Sequence, residues 1–150
     1  MYKKVVFILV SGFLLAGGLF GKGPYPFSEQ AEFSLLTNSP GDELYTIFGH
    51  SAIRFSDTTR GIERIYNYGT FDFGTSNFYL KFIKGKLNYF LSVNNFQGYL
   101  SGTSPIQTVY EQRFRLSDDQ KLELLKFLET NYIPENRFYL YDFFFDNCAT

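Results

Sequence analysis

Two side chains in this sequence are of the types that make a nucleophile and its base. His50, within FGHSAIRF at 48–55, is the sole histidine, and Cys148, within DNCAT at 146–150, is the sole cysteine. A thiol near its ordinary pKa is mostly protonated at neutral pH. A neighbouring imidazole or a helix N-terminus favours the thiolate, which is the attacking species. Cys148 follows Asp-Asn, residue types that favour helix N-caps. A helix starting there would aim backbone N–H groups at the sulfur and at an oxyanion forming on a substrate carbonyl. On residue type alone, each has a second reading. Cys148 also reads as a small hydrophobe in an aromatic stretch, and His50 as a polar residue leading into a strand, and residue type alone favours these structural readings. Arg54 shares strand parity with His50, so both project from one face; it either binds a phosphate head group or pairs with an acid. One His, one Cys and scattered acids give no zinc-ligand spacing, so no metal is expected. Gly69, Gly74 and Gly85 read as scattered turn glycines rather than a phosphate loop.

The elements that would carry these residues follow from periodicity. Strands are expected over 32–37, 51–56, 63–71, 87–93, 108–116 and 138–145, where β-branched and aromatic residues concentrate. Residues 43–48 suit one helical turn. Residues 77–83 have Phe78, Phe82 and Ile83 at helical spacing, and 94–105 reads as a Gly/Ser-rich loop or a broken helix. The clearest helix begins at SDDQ. Ser117 is placed to cap it and Gln120 to return the bond, while Asp118 and Asp119 complement the positive helix end. Leu122, Leu125, Leu128 and Tyr132 then share a face until Ile133-Pro134 stops the helix. Mostly consecutive strands with few helices imply an α+β fold, an antiparallel sheet with helices packed on one side.

The chain has 150 residues, net charge −1, nineteen Phe and twelve Tyr. That length suits one domain with a sizeable core. The charge excludes broad electrostatic binding of nucleic acid, which needs clustered Lys and Arg. Residues 1–22 read as a signal peptide or N-terminal signal anchor: Lys3 and Lys4 precede a sixteen-residue, mostly apolar run from Val5 to Phe20. Export with a single Cys leaves no internal disulfide.

The strings SPGDELYTIFGHSAIRF, YNYGTFDFGTSNFYLKFIKGKLNYFLSV and PENRFYLYDFFFDNCAT resemble the Lnb N-terminal periplasmic domain family of Gram-negative bacteria, from about Glu32 onward and in the family's order. The resemblance implies a papain-like thiol fold in circularly permuted order, histidine strand first and cysteine helix last, as in NlpC-type peptidases and lecithin:retinol acyltransferase relatives. It implies lipoprotein N-acylation in the Bacteroidota. A phospholipid acyl donor passes its chain through the enzyme thiol to the α-amino group of a lipoprotein acceptor, with no cofactor. Carried over, Cys148 is the nucleophile and His50 the base. A third polar residue should orient the imidazole; Asn67 of IYNYG is the candidate, its other reading being a turn-proximal strand Asn, and Tyr66, Tyr68 and Arg54 are candidates for contact with the substrate. Relatives continue past DNCAT into a further helix and usually a membrane region. The expectation is therefore a domain over 23–150 that lacks its final cysteine helix, held at the outer face of the inner membrane by a missing C-terminal region. A papain-like peptidoglycan amidase would use the same dyad, and a non-catalytic periplasmic scaffold is the reading from another class.

Overall fold

The computed structural model describes residues 25–142. The expected signal segment and Cys148 lie outside the described residues. Along the chain the elements are β1 (Glu32–Asn38), β2 (His50–Asp57), β3 (Ile62–Phe71), α1 (Phe78–Ile83), β4 (Asn88–Asn94), α2 (Phe96–Ser101), β5 (Val109–Arg113), α3 (Asp118–Tyr132) and β6 (Phe138–Leu140). The six strands form one sheet in the order β5-β1-β2-β3-β4-β6, and every neighbouring pair is antiparallel. This is the α+β antiparallel architecture expected from the run of consecutive strands.

Side-chain alternation gives the sheet two buried faces. On one, Phe33, Phe55, Tyr66 and Leu91 meet Leu128 of α3, with Leu122, Leu125 and Tyr132 packed around them. On the other, Leu36, Ala52 and Ile65 meet Tyr99 of α2, with Phe96 and Leu100 beside it. The register confirms the opposition. Phe33 pairs with Phe55 and Leu36 with Ala52, and positions of opposite parity point to opposite faces. Helices packed on one side were expected; instead α2 and α3 cover the two faces. The difference arises because residues 96–101, expected as loop or broken helix, close into a turn and a half of helix. Asn95 caps this helix by accepting from Gly98 N–H. Each fully buried Leu or Phe in these clusters contributes about 1.5–3 kcal/mol relative to exposure.

The capping box of α3 forms as its sequence requires. Ser117 Oγ accepts from Gln120 N–H, and Ser117 N–H donates to Gln120 Oε1 at 2.9 Å. Residues 42–48 form consecutive turns rather than the expected helical turn, and β5 is shorter than its sequence pattern. A third apolar cluster, Phe78, Phe82, Leu87 and Tyr89 with Tyr45, Phe71, Tyr139 and Tyr141 against it, fills one end of the sheet. Among the described residues no helix is long and apolar enough to cross a membrane.

Candidate functional site: a histidine held by an asparagine at one end of the sheet

His50 opens β2 at the sheet end where β1 and β3 finish. Asn38, the last residue of β1, pairs with it. The chain turns into β2 through Gly49 (φ +73°), a left-handed conformation that β-branched and bulky residues resist. A Cβ there would also stand 2.6 Å from the carbonyl oxygen of Asn38, so a side chain is excluded by contact as well as by conformation.

On the adjacent strand, β3 pairs with β2 through Ile53↔Tyr66, Arg54↔Ile65 and Phe55↔Arg64. The same register, continued toward the end of β3, sets Asn67 and Gly69 on the His50 face. Asn67 Oδ1 lies 2.7 Å from His50 Nε2 and also accepts from Gly69 N–H at 2.8 Å. An atom that accepts from a backbone N–H is the amide oxygen, not its nitrogen. His50 Nε2 is therefore the proton-bearing nitrogen and donates to Asn67. In the neutral ring this leaves Nδ1 with its lone pair. The arrangement fixes ring orientation and tautomer together, as a third residue does in a nucleophile–base–orienter triad.

A β-bulge follows Asn67. Asn67 pairs with Ser92 and Thr70 with Phe90, so Tyr68 and Gly69 stand opposite the single residue Leu91. Asn67 bonding the N–H two residues on is an Asx-type turn inside a strand. Thr70 Oγ1 and Ser92 Oγ, 2.6 Å apart, tie the far side of the bulge. The Tyr68 carbonyl accepts from Tyr139 Oη of β6.

The structure brings His50 and Asn67 together and separates the other residues expected beside them. Tyr66 and Tyr68 have the opposite parity and point to the α3 face. Tyr66 is fully buried, with its hydroxyl donating to Glu129; burial, then that carboxylate, raises its pKa. Tyr68 Oη accepts from Asn131 Nδ2 at 2.9 Å, and burial raises its pKa although this donor opposes the shift. Arg54 shares the face of His50 but is held by two carboxylates, Glu63 at 2.5 Å and Glu111 at 2.9 Å. Its guanidinium lies 4.8 Å from the Phe96 ring centroid. Burial alone would lower its pKa, yet the two acids hold it above the ordinary value. Of the two roles open to Arg54 in the sequence, the geometry matches pairing with acids. Gly49 and Gly69 also belong to the site, although residue type alone does not mark them. The available signal was the Asn-x-Gly spacing at 67–69, which marks an Asx motif.

The sheet also determines where the chain emerges. β6 runs antiparallel to β4, from Phe138 opposite Phe90 to Leu140 opposite Asn88. Its C-terminal end therefore lies at the His50 end of the sheet, where Phe71 of β3 faces Tyr89 of β4. Around this end many large apolar side chains are exposed, including Leu44, Ile47, Phe48, Phe73, Leu80 and Ile83.

No curated protein and no solved structure matches the chain. The Lnb N-terminal periplasmic domain family matches residues 27–150, which takes in every strand and helix described above, and the chain belongs to that family.

Proposed function

We propose that this periplasmic domain is the catalytic part of a thiol acyltransferase, with Cys148 as nucleophile and His50 Nδ1 as base. The observation that carries the reading is the His50–Asn67–Gly69 arrangement, which leaves one imidazole nitrogen as an acceptor at the sheet end toward which β6 leads. Three strand spacings separate β6 from β2, about 14 Å across the sheet. Eight residues from Leu140 to Cys148 span at most about 26–29 Å when extended. The segment after Leu140 is thus longer than the lateral distance from β6 to β2, which supports pairing Cys148 with His50.

In the first half-reaction the Cys148 thiol gives its proton to His50 Nδ1, and the thiolate attacks the ester carbonyl of a phospholipid. The C–O bond breaks, and the imidazolium protonates the departing alkoxide. A lysophospholipid leaves, and the acyl chain remains as a thioester. In the second half-reaction the α-amino group of a lipoprotein attacks the thioester. His50 accepts its proton, the C–S bond breaks, and the proton returns to sulfur. The exposed apolar rim at this end of the sheet supports a hydrophobic donor. Lys81, Lys84 and Lys86 on and after α1 place positive charge beside it, which suits an anionic lipid surface.

The test is intact-mass analysis of the full-length protein incubated with phosphatidylglycerol and phosphatidylethanolamine vesicles. An acyl adduct on Cys148 that hydroxylamine removes is expected. The adduct should be absent in Cys148→Ser and slowed about 10²–10⁴-fold in His50→Ala, the usual range for a general base. An adduct that persists in Cys148→Ser, or peptide release from peptidoglycan with no lipid adduct, would overturn the proposal.

A further inference from the structure

We propose that Gly69 is a positioning residue for His50: its bare Cα is the seat of the imidazole, and its N–H fixes the carboxamide that sets the tautomer. Gly69 lies within a strand, where glycine is otherwise unfavourable for want of a side chain to pack and for its entropy. A Cβ built on Gly69 would lie 2.3 Å from His50 Cε1, 2.9 Å from Nδ1 and 3.1 Å from Nε2. The ring edge carrying both nitrogens thus rests directly on the glycine, and no larger residue leaves room for it.

The N–H performs the second role. Asn67 could present either its oxygen or its nitrogen to His50, since the two ends of a carboxamide are nearly the same size. Gly69 N–H donates to Asn67 Oδ1 at 2.8 Å and so permits only the orientation with oxygen inward. That oxygen then receives His50 Nε2–H at 2.7 Å. Reversing the amide would set two donors against each other at Gly69, so the backbone of one residue determines which imidazole nitrogen stays unprotonated. The bulge makes this possible, because it turns Tyr68 and Gly69 out of the regular ladder opposite Leu91.

The consequence for acyl transfer rests on the reading of His50 as base; the seat and the tautomer do not. His50 is the sole histidine, so selective ¹⁵N and ¹³C histidine labelling gives one imidazole to observe. In the wild-type protein a nuclear Overhauser effect between His50 Hε1 and the Gly69 Hα protons is expected. A downfield Hε2 resonance protected from exchange should accompany it. Absence of either overturns the proposal, whatever the variants do. Gly69→Ala should keep its circular dichroism spectrum, because the clash is relieved when the His50 ring swings away. It should lose the protected Hε2 signal and slow thioester formation about 10²-fold, the cost of a misplaced catalytic group, with little change in KM for the lipid. Asn67→Ala, which adds no bulk, should lose the same Hε2 signal. The double variant should be no slower than the slower single, since both act through one ring. A protected Hε2 surviving in Gly69→Ala, or multiplicative losses in the double variant, would overturn the proposal. A wild-type protein with the Hε2 signature and no thioester on Cys148 would instead defeat the acyltransferase reading and leave the seat standing.

Discussion

Asn67 Oδ1 has two lone pairs and the structure uses both, one for His50 Nε2 and one for Gly69 N–H. That doubling separates an orienting asparagine from one that merely sits in a strand. The meeting of His50 and Asn67 was legible because their residue types suit a hydrogen-bonded pair on neighbouring strands. Tyr66 and Tyr68 were misplaced for a reason strand parity already contains. They flank Asn67, and neighbours in a strand point to opposite faces. Their hydroxyls accordingly meet Glu129 and Asn131 of α3. Arg54 has the right parity, but Glu63 and Glu111 occupy its guanidinium, and Ser34 Oγ donates to Glu111 at 2.6 Å. Arg54→Ala should therefore act on stability rather than on donor recognition. Because the pairs are partly exposed, the loss should be modest, about 1–2 kcal/mol with screening included. Urea unfolding together with KM for anionic and zwitterionic lipids checks this. A KM rise confined to anionic donors would show that Arg54 meets the head group after all.

At the level of elements, α3 was the most legible piece. Its cap is encoded by residues three apart, and its apolar stripe by a period of 3.6. The bulge in β3 was not legible, since its support comes from a strand some seventy residues away. Tyr139 Oη of β6 donates to the Tyr68 carbonyl, so β6 braces the bulge that carries Gly69 next to Asn67. Tyr139→Phe removes that donor and leaves a half-buried carbonyl short of a partner, at a cost of about 1–3 kcal/mol. The variant should also broaden the His50 Hε2 resonance while the α3 amide signals stay in place. Amide exchange would show the effect as faster opening of β3 around Tyr68. Unchanged protection there would mean that the bulge is maintained by β4 alone.

Across the whole molecule, the site is assembled by topology. β1, β3 and β6 end, and β2 begins, at one end of the sheet, so segments far apart in sequence converge on His50. The α+β class was legible from consecutive strands. The placing of β5 beside β1 and the division of α2 and α3 between two faces were not, because both depend on long-range packing that no local period encodes. The opposite end of the sheet is held by a buried charge. Asp57, fully buried at the end of β2, accepts from Ser28 N–H at 2.7 Å, Ser28 Oγ at 2.6 Å and Arg60 N–H at 3.2 Å. Burial pushes its pKa up, but these donors and the Arg60 guanidinium outweigh it and hold the carboxyl below its ordinary value. Glu111 is lowered in the same way by Ser34 and Arg54 against the effect of burial. The sign follows from linkage. A carboxyl more acidic in the folded state binds fewer protons there than in the unfolded chain. Its stabilisation is fully present above the ordinary carboxylate pKa, about 4, and is lost as pH falls through the lower folded value. Stability to urea should therefore be nearly independent of pH around neutrality and should fall steadily below about pH 4. Asp57→Asn keeps the shape but trades a charged acceptor for an amide that cannot receive all three donors. It should cost about 2 kcal/mol at pH 7 and make the acid slope shallower, so that the two stability curves converge as pH falls. Curves that stay parallel from pH 7 to pH 3 would mean that Asp57 contributes by packing and not by its charge.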